Sequence, residues 1–218
     1  MPMNIVNALE KDIERNHLSK HPFYTLWNEG RLSREALEAY AQQYYVFVSE
    51  FPRFVSRVHS NTPDAEDRQL ILENLNEEEN PKQPHDKLWR DFAEGIGVKR
   101  IGASLLPETK KSLRTFQQLS SASCLEGAAS LLAYESQISE IAELKAAGLK
   151  KYYGVKDKKT LKFFEVHGKV DIEHQKTWKT IIAKHAKTKE DQSKVRSALI
   201  KSLKAMWLLL DGVYREYC

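Results

Sequence analysis

Seven ionisable side chains fall on positions that helical periodicity reserves for a core. Across residues 157 to 186, Lys158, Lys162, Glu165, Lys169, Lys176 and Lys179 mark a wet face by their spacing. The opposite stripe reads Phe164, His167, Asp171, His174, Trp178 and Ile181, so two histidines and an aspartate occupy successive inward positions. Burying that aspartate without a partner is costly. The same anomaly recurs from residue 123, where the stripe Cys124, Ala128, Leu131, Glu135, Ile138, Ala142 and Lys145 is dry except for its sulfur and two ionisable groups. Over residues 62 to 80, Ile71 and Leu75 lead into Glu78, and after the prolines His85 shares a stripe with Leu88 and Phe92.

Three imidazoles (His85, His167, His174) and three carboxylates (Glu78, Glu135, Asp171) therefore point inward from four segments. Asp171 and His174 have the i, i+3 spacing that dinuclear carboxylate bundles use. Six mixed nitrogen and oxygen donors suit two metal ions better than one. Carboxylate with imidazole favours iron or manganese, although spacing alone does not exclude zinc. A mononuclear site, and a hydrogen-bonded core cluster in which Asp171 fixes an imidazole tautomer, are the competing readings.

The elements that must carry these groups are helical throughout. The spacing predicts a helix near 4 to 17, a turn at His21 and Pro22, and a long helix after Ser33 to about His59 with Tyr40, Tyr44, Phe47, Phe51 and Phe54 as its buried stripe. Thr62 and Pro63 read as N-cap and first residue of a helix ending near Asn80, and a short helix runs from about Pro84 to Glu94. Helical patterns follow over 123 to 147 and 157 to 186, and Thr188 with Asp191 resembles a capping box opening a last helix to about Tyr217. The expectation is one all-α domain over 1 to 218, a bundle of seven or eight helices whose interior holds the site.

Composition excludes several function classes. At 218 residues, 41% hydrophobic and with no low-complexity tract, the chain has the material for a core, which a disordered chain lacks. The longest apolar run, Ala205 to Leu210, is far short of the ~20 residues of a membrane span, and Met1, Pro2, Met3 and Asn4 offer no signal-peptide stretch. No membrane partner and a cytoplasmic location are expected, and Cys124 and Cys218 form no disulfide framework or zinc pair. The net charge of +4 hides acidic residues concentrated in 64 to 94 and lysines in 145 to 204. Without arginine-rich or aromatic-interleaved patches these lysines read as solvated faces, and no nucleic acid is expected.

Glu78 with Glu79, Asn80 and His85, then Tyr134 and Glu135, then His167-x-x-x-Asp171-x-x-His174, resemble the ligand pattern of the haem-oxygenase-like dimetal oxidases. The resemblance runs from His21-Pro22-Phe23-Tyr24 to the last helix and is nearest the branch that makes p-aminobenzoate for folate synthesis. It implies a haem-oxygenase-like bundle, six metal ligands (Glu78, His85, Glu135, His167, Asp171, His174), two ions of iron or manganese, and a need for O2 and an external reductant. It further implies a self-consuming reaction, in which the side chain of Tyr24 is excised and Lys145 donates the amine. Tyr134 is either an electron relay or a hydrogen-bond donor. The competing readings of the residues alone are that Tyr24 packs beside Phe23 and Trp27 and that Lys145 snorkels from a helix end, although a lysine on a buried stripe favours function.

Three other functions compete. A thiamin-related hydrolase would need Cys124 as an activated thiolate, and a cofactorless quinone-forming oxidase would not need six ligands. A chlamydial member of the branch is named for association with host death domains, so a death-domain partner is the expectation from a different class. Whether the chain forms a homodimer is left open by its sequence.

Overall fold

Apolar residues at spacings of three and four draw the chain into nine α-helices among the described residues, with no strand between them. The computed structural model describes residues 5–102 and 104–218, and the side chains of these apart from 169–173. In chain order the helices are α1 (Ile5–Arg15), α2 (Pro22–Glu29), α3 (Arg34–Ser60), α4 (Ala65–Glu78), α5 (His85–Gly95), α6 (Pro107–Ala122), α7 (Cys124–Tyr152), α8 (Lys158–His185) and α9 (Lys189–Tyr217). No helix among them is long and apolar enough to cross a membrane.

The all-α expectation holds, with two helices more than the pattern resolved. α2 is short, and its N-cap is His21, whose Nδ1 accepts the Phe23 N–H at 3.0 Å in place of the usual hydroxyl or carboxylate cap. α6 buries Thr109, Ser112 and Ser120 beside Leu113, Phe116 and Leu119, so small polar residues dilute its apolar period. The start of α4 is corrected as well. Thr62 spends its hydroxyl on the Val58 carbonyl at the end of α3, 2.7 Å away, and Asp64 caps α4 by accepting the Glu66 and Asp67 N–H groups at 2.9 and 3.0 Å. The capping box at Thr188 and Asp191 forms as read.

α7 is the axis of the bundle. Ala128, Ala129, Leu131, Leu132 and Ala133 are all fully buried, the signature of a helix covered on every side. Its small residues admit close neighbours. A Cβ at Gly148 would stand 2.6 Å from the Trp27 ring, and Trp27 Nε1 donates to the Lys145 carbonyl at 3.3 Å. α2, which carries Tyr24, is thereby seated on the turn of α7 that carries Lys145.

α4 and α8 run antiparallel in a fixed register. At one end Lys184 Nζ reaches Asp64 at 3.0 Å and Asp67 at 3.1 Å, and His185 pairs with Asp67. Eleven residues separate Asp67 from Glu78 and also His174 from His185, about 16 Å along each helix, so Glu78 and His174 meet at the other end.

Candidate metal centre and tyrosine–lysine cage

Glu78 is the last residue of α4, His85 the first of α5, Glu135 lies mid-way along α7, and His167 and His174 lie on α8. All five are buried. One ligand atom each from Glu78, Glu135 and His174 lie within 4.8 Å of one another. His174 Nδ1 faces Glu78 Oε1 at 3.9 Å and Glu135 Oε1 at 3.7 Å. These gaps are too long for hydrogen bonds. They match donors sharing one ion, since metal–ligand bonds of about 2.0–2.2 Å put such donors roughly 3–4 Å apart. Glu135 Oε1 is buried with no hydrogen-bond partner among the described residues, while its other oxygen accepts the Trp178 indole N–H. Buried carboxylates facing imidazoles form a donor set that a divalent cation completes.

The remaining imidazoles adjoin this group. His85 Nδ1 lies 2.8 Å from Glu78 Oε2, and the His85 and His167 rings are 4.4 Å apart. His167 donates its Nδ1–H to the Phe163 carbonyl at 2.8 Å and stacks on the Phe163 ring, which leaves the Nε2 lone pair for a ligand. Burial, reinforced by His85, lowers the His167 imidazole to about 3 and keeps it neutral. Burial works against the Glu78 carboxylate, but the surrounding imidazoles, His85 foremost, outweigh it and hold the group below its usual range. For Glu135 burial wins and pushes the carboxyl up. Asp171 lies in α8, but its side chain falls outside the described residues.

A second assembly surrounds Lys145, ten residues beyond Glu135 on α7. Lys145 is buried, with Nζ 4.8 Å from the centroid of the Tyr44 ring, 5.1 Å from Tyr40, 5.5 Å from Tyr24, 5.7 Å from Trp89 and 5.9 Å from Phe164. Burial lowers its ammonium to about 7, and the ring faces offset part of the lost hydration. Neutral amine is thus available near physiological pH. Tyr24 and Tyr40 share a hydrogen bond at 3.3 Å, the Tyr40 and Tyr44 rings are 5.3 Å apart, and Tyr44 donates to the Tyr134 hydroxyl at 3.1 Å. The phenols form a file from Tyr24 to Tyr134, the neighbour of Glu135 in sequence. Burial raises the Tyr24 phenol well above its usual range, so it stays protonated.

The sequence reading missed Tyr40 and Tyr44 as parts of this assembly, since a four-residue aromatic spacing is equally the mark of packing. Cys124 opens α7, where burial pushes its thiol up and Thr62 approaches it at 3.2 Å. A protonated thiol does not serve as a nucleophile.

The lowered lysine has a consequence for stability. An unfolded lysine titrates near 10.5 and this one near 7, so between those values the unfolded chain holds a proton that the folded chain does not. Stability therefore rises with pH across that window and carries the full penalty below it. Lys145→Met is expected to raise stability by about 2–4 kcal/mol at pH 7, with the gap closing toward pH 10.5. Denaturant melts across that range check this, and equal stability throughout would contradict a desolvated amine.

A family model described as iron-containing redox enzyme matches residues 38–207. The chain is 40% identical to the 4-aminobenzoate synthase of Nitrosomonas europaea, over 94% of its own length and 89% of that protein. It is 34% identical to the 4-aminobenzoate synthase of Chlamydia trachomatis, over 96% and 92% of the two chains. Among solved structures, a domain with a heme oxygenase-like fold from Shewanella denitrificans superposes with a TM-score of 0.78 at 18% identity, covering 97% of this chain and 90% of that one.

Proposed function

The chain belongs to the iron-containing redox enzymes of haem-oxygenase-like fold, in their 4-aminobenzoate synthase branch, and on that premise we propose that it makes 4-aminobenzoate (p-aminobenzoate) from its own Tyr24, with Lys145 as amino donor. The atoms of the two molecules correspond. A tyrosine side chain is a six-membered ring with one carbon, Cβ, opposite an oxygen, and the product is the same ring with a carboxyl carbon opposite a nitrogen. Release requires cleavage of the Cα–Cβ bond, oxidation of Cβ to the carboxyl and exchange of the para oxygen for an amine.

The observation that carries this reading is the position of Lys145 Nζ, 5.5 Å from the centroid of the Tyr24 ring inside a wall of aromatic faces. Those faces keep bulk water from the amine and the phenol. A lysine with neutral amine available has the lone pair that nitrogen transfer requires, and a phenol kept protonated can lose an electron and a proton together. Tyr40, Tyr44 and Tyr134 supply a file of hydroxyls and rings from Tyr24 to the neighbour of Glu135 in sequence for that departure.

Glu78, His85, Glu135, His167, Asp171 and His174 are the proposed ligands of two ions, iron or manganese. When bound, these ions supply the reduction of O2, fed by an external reductant, to an oxidant strong enough to attack an aromatic ring. The relatives at 40% and 34% identity favour this reading over a thiamin-related hydrolase, a quinone-forming oxidase or a death-domain adaptor.

Loading the full chain with Fe(II) under anaerobic conditions, followed by O2 and a reductant, should release 4-aminobenzoate; loaded protein that forms none overturns the function. Elemental analysis of Glu135→Ala, which removes a donor of the central group, should find most of the metal gone while helicity persists. A variant that retains full metal content would remove Glu135 from the ligand set.

A further inference from the structure

Glu77, the residue before Glu78 on the last turn of α4, is exposed over 56% of its side chain and was not singled out by any periodicity. Its Oε2 lies 2.8 Å from Nε2 of His174, a side chain that is itself only 2% exposed. A carboxylate only accepts, so this contact fixes the proton on Nε2 and leaves the lone pair on Nδ1. Nδ1 is the nitrogen that faces Glu78 and Glu135 at 3.9 and 3.7 Å. Consecutive residues of α4 thus address opposite ends of one imidazole, Glu77 bonding it from the solvent side and Glu78 facing it from the interior.

We propose that Glu77 is a positioning residue for the metal centre: it holds His174 in the Nε2–H tautomer and in the ring orientation that presents Nδ1 to an ion shared with Glu78 and Glu135. The proposal rests on the metal-centre reading above. A carboxylate behind a ligating imidazole both orients the ring and raises its basicity, and loss of such a partner commonly weakens metal binding 10- to 100-fold. The imidazole loses its outer partner while the buried carboxylates stay as they were, so the effect should fall on one ion rather than on the whole site. Because Glu77 lies at the surface, its replacement should leave the fold intact.

Release of Fe(II) from the loaded full chain to a chromogenic chelator, followed under anaerobic conditions, separates the outcomes. Glu77→Ala is expected to load both ions and to release one of them 10- to 100-fold faster than the parent, with an unchanged denaturation midpoint. Glu77→Gln keeps an acceptor oxygen for the Nε2–H and should recover much of the slow release. Glu73→Ala, at an exposed position one turn earlier on α4, should match the parent. Parent-like release from Glu77→Ala overturns the proposal. So does failure of that variant to load an ion at all, which would make Glu77 a ligand, and so does an equal defect in the Ala and Gln variants accompanied by a lowered midpoint, which would make its role structural. A parent chain that holds no iron defeats the metal-centre reading itself, a result distinct from failure of Glu77 alone.

Discussion

Protein carrying Tyr24→Phe is expected to fold, to take up its metal in full and to form no 4-aminobenzoate. Phenylalanine fills the same space among Phe23, Trp27 and Tyr40, so packing survives. The loss is one hydrogen bond to Tyr40, about 1 kcal/mol in a fold of this size. None of the proposed metal ligands is touched. What disappears is the phenol, whose oxidation is proposed to start the chemistry and whose para oxygen marks the position proposed for the amine. Product measured by mass spectrometry should fall to background while metal content and helicity stay at parental values. Full product from this variant would mean that the protein oxidises an external molecule.

Lys145→Arg should have an effect as large for a different reason. Arginine keeps the positive charge and much of the length, and the ring faces around Nζ would still attract a cation. A guanidinium does not deprotonate, so no neutral amine exists at any working pH. Product is expected to drop at least 100-fold, and protein grown with nitrogen-labelled lysine should pass its label to the 4-aminobenzoate. The same chemistry gives the parent a pH profile: product yield should rise with pH through about 7, where burial sets the amine's titration. Unlabelled product, or full yield from the arginine variant, would require another nitrogen source.

Much of this site was legible because helical periodicity predicts which positions are dry, and ionisable residues on those positions stand out. Glu135 on the otherwise apolar stripe of α7 and His167 and His174 opposite the lysines of α8 are of this kind. Lys145 was visible by the same logic, one stripe position beyond Ala142. Tyr40 and Tyr44 were hidden because an aromatic on a buried stripe satisfies the packing rule without any further role; only the hydroxyl contacts to Tyr24 and Tyr134 distinguish them. Glu77 was hidden for the opposite reason, since an exposed glutamate on an acidic helix end looks like solvated surface until the His174 ring is seen behind it. In the fold, α2 escaped notice because an imidazole does the work of its cap, and α6 because serine and threonine occupy its inner face.

The most direct test counts product against polypeptide. A known amount of iron-loaded full chain is given O2 and reductant until product formation stops, and the spent protein is digested and weighed peptide by peptide. If Tyr24 is the substrate, 4-aminobenzoate should never exceed one equivalent per chain, and the peptide containing Tyr24 should have lost its side-chain mass in proportion to product formed. Many equivalents of product per chain, from protein whose Tyr24 peptide is intact, would contradict a self-consuming reaction.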